Sequence, residues 1–132
     1  MLTHLHKDHI GGAPELFREC SIGTIYHGGE RVPGVVPHIL DSLVNAHHIP
    51  IIRVRAGDVI HIDSAVQIFV VHPDSLAVAP GGETLGGNLN NGSVVLKIQY
   101  GETSILLSGD LEREREVATV ARYGNFFALG YT

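Results

Sequence analysis

The chain has 132 residues, of which 44% are hydrophobic and 17% charged, the composition of one folded globular domain rather than of a disordered segment. Its net charge of -5 argues against a surface that coats nucleic acid, and its single cysteine, Cys20, excludes an internal disulfide and a cysteine-based zinc site. No apolar run approaches the roughly 20 residues that span a bilayer, and no signal-peptide pattern is visible at the start. We expect a soluble chain, either cytoplasmic or a soluble domain of a longer membrane protein, with Cys20 buried as a small apolar group.

The first half of the chain is predicted to alternate short helices and strands. Gly11 and Gly12 release the chain, and Pro14 suits the first turn of a short helix. A strand over 22–26 and a loop to Pro37 follow, and the apolar spacing over 36–47 predicts a second helix with one buried face. Strands are predicted over 51–54 and 59–62, on either side of a turn at 56–58.

The second half is predicted to contain a strand over 66–71, a long loop, a hairpin and a helix. Segment 80–92, PGGETLGGNLNNG, predicts a mobile loop that is too polar to pack and lies beside a site. The hairpin joins 93–100 to 103–107, and its second strand leads directly into Ser108-Gly109-Asp110. The helix over 111–122 is predicted to turn Leu111, Val117, Val120 and Ala121 inward and to leave residues 112–116 solvated. We find no internal repeat or linker, so residues 1–132 are treated as a single domain.

Segment 3–12, THLHKDHIGG, places three imidazoles and one carboxylate within six residues. His4 and His6 lie two apart on an extended stretch, so both project to the same side and can hold one metal ion. Asp8 and His9 follow a turn and can face a second ion. Two such ions would bind a substrate oxygen and activate water as a nucleophile, which are the catalytic features of a metal-dependent hydrolase.

Each of these features has a simpler interpretation. The opening cluster could be a chance histidine-rich terminus or a tag remnant, although tags do not carry Asp-His-x-Gly-Gly. Asp110 could merely cap the following helix, and His72 before Pro73 could be a structural residue at a strand end. The other histidines are assigned to surface or structural positions, with two of them at a helix end: His27, His38, His47, His48 and His61.

These motifs resemble the metallo-beta-lactamase superfamily, in which a hydrophobic strand ends in His-x-His-x-Asp-His. The likeness continues through Val71-His72-Pro73, NNGSVVL at 90–96 and ILLSGDLE at 105–112. In order and spacing these segments are similar to the metallo-beta-lactamase-like domain of ComEC competence proteins and their stand-alone relatives. The resemblance implies an α/β fold, the αββα sandwich, with two metal ions at one edge and Asp110 as the carboxylate that binds both.

The chain departs from the superfamily pattern in two places. In the superfamily the third ligand of the first metal is a histidine in the loop before the strand predicted here at 93–100. That loop contains no histidine in this chain, so the candidates to line the site are His72, Asn90, Asn91 and Ser93. The superfamily pattern also includes a last histidine for the second metal site and strands before the opening motif, and this sequence shows neither. We therefore expect a partial sandwich that lacks N-terminal strands and the C-terminal part, as an internal fragment of a longer protein would.

The sequence thus predicts a metal-dependent hydrolase domain that attacks an ester or phosphodiester through metal-activated water. His4 and His6 would hold the first ion, Asp8 and His9 the second and Asp110 both, with Asp8 also orienting the water or accepting its proton. Zinc fits these ligands best, and manganese or iron are alternatives. The substrate would be a small ester or phosphodiester, or nucleic acid in DNA uptake and competence. The alternative is a metal-binding fragment or regulatory domain that is catalytically incomplete. The oligomeric state stays open.

Overall fold

The computed structural model describes residues 1–128, with side chains described to residue 126. Within this range the chain forms four α-helices and six β-strands, in the order α1, α2, β1, α3, β2, β3, β4, β5, β6, α4. The helices are α1 (Lys7–Ile10), α2 (Ala13–Glu19), α3 (Val35–Ala46) and α4 (Arg113–Ala128). The strands are β1 (Ile25–His27), β2 (Ile51–Arg53), β3 (Val59–His61), β4 (Val66–His72), β5 (Val95–Tyr100) and β6 (Thr103–Leu107).

The strands form two sheets, which confirms the predicted α/β class. Strands β1 and β2 pair in parallel, with α3 as the crossover between them. Strands β3, β4, β5 and β6 form an antiparallel sheet in that order, and the two-residue loop at Gly101 closes the predicted hairpin between β5 and β6. Among the described residues, no helix has both the length and the apolar character needed to cross a bilayer.

The chain buries two separate apolar clusters. One lies between the N-terminal helices, β1 and α3, and is formed by Ile10, Ala13, Ile25, Leu40 and Val44. The other lies on the antiparallel sheet and is formed by Val54, Val70, Val94 and Leu96. The first cluster confirms the apolar face predicted for the second helix, because Leu40 and Val44 are four residues apart on α3.

Residues 2–4 connect the two sheets, and this placement positions the site. The N–H of Leu2 donates to the carbonyl of Tyr26 in β1 at 2.8 Å. The N–H of Val94, just before β5, donates to the carbonyl of Thr3 at 2.7 Å. The opening motif is therefore held by backbone hydrogen bonds on both sides, one from each sheet.

The predicted inward face of the last helix is wrong. Val117 and Val120 on α4 are 61% and 50% exposed, whereas Arg115 and Thr119 are buried. The Nη2 atom of Arg115 donates to both carboxylate oxygens of Asp74 at 2.7 Å, and this ion pair holds the 115/119 face inward. The predicted solvated face over 112–116 is confirmed at its other four positions, which are exposed, and is wrong at Arg115 alone.

Two further expectations about burial are corrected. Cys20 is exposed rather than buried, because it follows the C-terminal end of α2 at the surface. Segment 80–92 was expected to be too polar to pack, yet Asn91 is only 3% exposed and Gly92 is also buried. The end of this loop forms a 3-10 turn, Asn90–Gly92, against the rest of the molecule.

Candidate metal centre

His4 and His6 lie on the same side of an extended segment, as their spacing predicts. His6 has φ of -68° and ψ of 147°, and α1 begins immediately after it. The Nε2 atom of His4 is 2.9 Å from the Nδ1 atom of His6. His4 is fully buried, so its imidazole is fixed by its surroundings before any ligand binds.

His9 and Asp110 come together although 101 residues separate them. His9 is in α1, and Asp110 follows β6 at the end of the Ser108-Gly109-Asp110 turn. The Oδ2 atom of Asp110 is 3.0 Å from Nε2 of His9 and 4.0 Å from Nε2 of His4. One ligand atom from each of these three residues lies within 4.8 Å of the other two. Two imidazole nitrogens and one carboxylate oxygen at such separations can surround a divalent cation.

The hydroxyl of Thr3 contacts the Nδ1 atoms of two of these imidazole rings, those of His4 and His9. Its Oγ1 atom is 3.2 Å from Nδ1 of His4 and 3.3 Å from Nδ1 of His9. A hydroxyl oxygen can accept two hydrogen bonds, so Thr3 can hold a proton on each Nδ1 and leave both Nε2 lone pairs directed towards Asp110. The sequence gives no ligand signal at Thr3, and its role follows only from the fold.

Ser93 connects the opening motif to the Asp110 turn. Its Oγ atom is 3.3 Å from Nδ1 of His4 and accepts a hydrogen bond of 3.3 Å from the N–H of Asp110. Gly109 packs against the same hydroxyl, since a Cβ atom there would lie 3.2 Å from Oγ of Ser93. The structure therefore brings the predicted site-lining residue Ser93 behind the imidazole of His4, where it orients the ring.

Burial, followed by the neighbouring rings of His9 and His6, lowers the pKa of His4, although the carboxylate of Asp110 acts in the opposite direction. A neutral imidazole is the form that binds a metal, so the same environment that excludes water from His4 also prepares it as a ligand.

The other predicted site residues occupy less direct positions. Asp8 is 81% exposed, with its Oδ2 atom 3.7 Å from Nε2 of His9. His72 is buried behind Ser93 and donates from Nδ1 to the Ser93 carbonyl at 2.7 Å, while no donor among the described residues reaches its Nε2. Burial lowers the pKa of His72.

The two predicted asparagines lie in the loop beside the centre. Asn90 contacts Glu112, and Asn91 is buried with an unpaired Oδ1 in the described part of the chain. Asp110 caps no helix, since α4 begins at Arg113.

The donor set fits a divalent metal. The two Nε2 atoms and the Asp110 carboxylate face one another, and hydroxyl groups occupy the Nδ1 side of both rings. Metal-binding histidines commonly show this division, with one nitrogen on the metal and the other held by the protein. His4, His9 and Asp110 would provide the central ligands of a metal centre here, with His6 beside His4.

Removing the Thr3 hydroxyl is expected to weaken metal binding. In Thr3→Val the shape is kept, but neither Nδ1 keeps its hydroxyl partner at Thr3, so affinity for Zn²⁺ should fall by about 10-fold or more. Titration against a competing chelator measures this, and Thr3→Ser should restore the affinity. Thr24→Val, which changes the threonine just before β1, is the matched control and should bind as the unchanged chain does. Equal affinity for Thr3→Val and the control would contradict the role of Thr3.

A family model of the metallo-beta-lactamase superfamily matches residues 1–132. The chain therefore belongs to the metallo-beta-lactamase superfamily, and the resemblance of its motifs is confirmed. Members of this superfamily are mostly hydrolases, and their fold binds divalent metals in general. The two sheets with their helices are consistent with part of the αββα sandwich.

The chain is also similar to the ComE operon protein 3 of Bacillus subtilis (strain 168), with 31% identity over 133 residues. The match covers 97% of this chain and 15% of that protein, so the chain spans a small part of the length of this relative. The similarity agrees with the ComEC-like order of the motifs.

Proposed function

We propose that this chain carries the metal centre of a hydrolase that cleaves phosphodiester bonds. The observation that supports this proposal is the convergence of His4, His9 and Asp110, with the Nδ1 side of both rings held by Thr3. Superfamily membership supports the coarser statement of a metal-dependent hydrolase. Fold alone does not determine the substrate, so the phosphodiester is proposed from the ComEC-like motifs.

The proposed ligands divide between two metal ions according to their positions. We assign His4 and His6 to the first ion, Asp8 and His9 to the second, and Asp110 to both. Bound divalent ions supply Lewis acidity and lower the pKa of water, which favours attack on a phosphorus centre at neutral pH. Asp8 is open to solvent, so its carboxylate can orient an incoming water and accept its proton.

Nucleic acid is the substrate class that we propose, in DNA handling related to competence. The chain itself has a net charge of -5, so its surface outside the site offers little electrostatic attraction to a polyanion. Attraction would be concentrated at the site, where two divalent ions would offset the carboxylates of Asp8 and Asp110. Zinc and manganese are both compatible with this mixture of imidazole and carboxylate ligands.

A metal-binding domain that is catalytically incomplete is the second candidate. The observation that favours it is the absence of a histidine from segment 80–92, where the superfamily pattern places the third ligand of the first metal. His72, the nearest histidine, contacts Ser93 instead of the His4–His6 pair. Stoichiometry separates the candidates, because a complete centre binds two ions and an incomplete one binds a single weak ion or none.

The test combines metal content by elemental mass spectrometry with turnover of a chromogenic phosphodiester in added Zn²⁺ or Mn²⁺. We expect two ions per chain, turnover, and loss of the first ion in His6→Ala. The control is His48→Asn, because His48 has φ of 53°, a conformation that asparagine tolerates. The control should keep both ions. Equal metal loss in the two variants would overturn the assignment of ligands, and bound metal without turnover would favour the incomplete domain.

A further inference from the structure

The carboxylate of Glu112 holds the asparagine-rich loop through two hydrogen bonds. The side-chain amide of Asn88 donates to its Oε2 atom at 2.8 Å, and that of Asn90 donates to its Oε1 atom at 3.0 Å. Glu112 stands two residues after Asp110 and immediately before α4. Both oxygens of one carboxylate are thus used to connect the loop to the turn that carries Asp110.

These contacts determine how the asparagine side chains are oriented. A carboxylate only accepts hydrogen bonds, so both asparagines must present their NH₂ groups to Glu112. Oδ1 of Asn88 then accepts the backbone N–H of Asn90 at 3.0 Å. No donor in the described part of the chain reaches Oδ1 of Asn90, so Glu112 supplies the hydrogen-bonding contact that defines its orientation.

The same contacts complete a ring around Asp110. The N–H of Asp110 donates to Oγ of Ser93, and the N–H of Ser93 donates to the carbonyl of Asn90 at 3.0 Å. Asn90 in turn binds Glu112, two residues along the chain from Asp110. Residues 101–110 are all exposed, so hydrophobic packing contributes little to holding this turn. Hydrogen bonds must therefore hold the Asp110 turn against Ser93.

We propose that Glu112 is a positioning residue for the metal centre. Through Asn88 and Asn90 it fixes the asparagine loop on the Asp110 turn, and so keeps the Asp110 carboxylate facing His4 and His9. The carboxylate of Glu112 accepts its hydrogen bonds from the loop and, among the described residues, does not belong to the cluster of ligand atoms. The inference rests on the proposed function, in that it takes Asp110 as a metal ligand.

The test compares Glu112→Ala and Glu112→Gln with Glu114→Ala, which changes an exposed carboxylate on the first turn of α4. Mn²⁺ and Zn²⁺ affinities are measured by chelator competition, and hydrogen exchange reports on the amides of Gly92, Ser93 and Asp110. Glu112→Ala should weaken binding by about 10-fold and speed exchange at these amides. Glu112→Gln keeps one acceptor oxygen and should give an intermediate result. Glu114→Ala should change neither measurement.

A double-mutant cycle separates positioning from general loss of stability. If Glu112 acts through the loop, Asn90→Ala should weaken metal binding in the same direction, and Asn90→Ala with Glu112→Ala should add little further loss. Unchanged affinity and unchanged exchange in Glu112→Ala would overturn the inference. If the unchanged chain binds metal without turnover, the proposed function fails, while the affinities of the Glu112 variants still test the positioning role of Glu112. If the unchanged chain binds no ion, the exchange rates test that role.

Discussion

The substitution Asp110→Asn is expected to remove metal binding from the centre. Asparagine has the same shape but no negative charge, and Oδ2 of Asp110 is the carboxylate oxygen that lies near both His4 and His9. Without Asp110 each ion would keep only two of its assigned protein ligands, so affinity should fall by more than about 100-fold, beyond the effect of changing an outer-shell partner. Phosphodiester turnover should fall with it.

Elemental mass spectrometry and chelator competition measure the effect of Asp110→Asn. The control is Asp41→Asn on α3, which removes an equal charge from an exposed position outside the cluster. Far-ultraviolet circular dichroism should match in all three proteins, because Asp110 is itself exposed and its loss leaves the core unchanged. If Asp110→Asn retains the affinity of the control, Asp110 is not a ligand and the proposed centre is wrong.

The histidines that we propose as ligands could be predicted from the sequence, because their signal is local. The spacing of His4 and His6 alone requires that they share one side of an extended segment, and the structure has them 2.9 Å apart. For His9 the sequence predicts only a position after a turn, and the structure places it in the short helix α1. Asp110 is indicated only by the resemblance of ILLSGDLE to the superfamily motif, because no sequence spacing relates it to the histidines.

The supporting contacts could not be found this way, because each depends on a partner far along the chain. The buried face of α4 is determined by the contact of Arg115 with Asp74, which lies 41 residues earlier in the chain. The periodicity of apolar residues in α4 does not indicate this contact. The packing of Asn90 depends on Glu112, 22 residues away. Thr3 adjoins the motif, yet its contact with His9 exists only because α1 turns the chain back over the extended segment.

Tertiary packing also buries the carboxylic acid of Glu30 without a hydrogen-bonding partner among the described residues. It follows β1 and is 2% exposed, and neither carboxylate oxygen has a donor within hydrogen-bonding geometry. Burial raises its pKa to about 7, against the weaker opposing influence of nearby backbone N–H groups and of Arg53. The folded chain therefore keeps a proton on Glu30 that the unfolded chain has already released.

The direction of the effect on stability follows from proton binding. Below pH 4.5 both states hold the proton on Glu30, so it has no effect there. Between 4.5 and about 7 the folded state binds more protons than the unfolded state, so the free energy of unfolding falls as pH rises. Above about 7 the loss is complete, and it amounts to roughly 3 kcal/mol.

The substitution Glu30→Gln is expected to remove this loss, because a neutral amide of the same size does not titrate. Urea unfolding at about pH 5 and about pH 8.5 should show the variant gaining roughly 2 kcal/mol on the unchanged chain between the two conditions. Glu102→Gln, in the exposed turn between β5 and β6, is the control and should follow the unchanged chain at both pH values. A constant difference between Glu30→Gln and the unchanged chain would mean that Glu30 ionises at its ordinary pKa. The buried carboxyl would then have to be solvated in the folded protein.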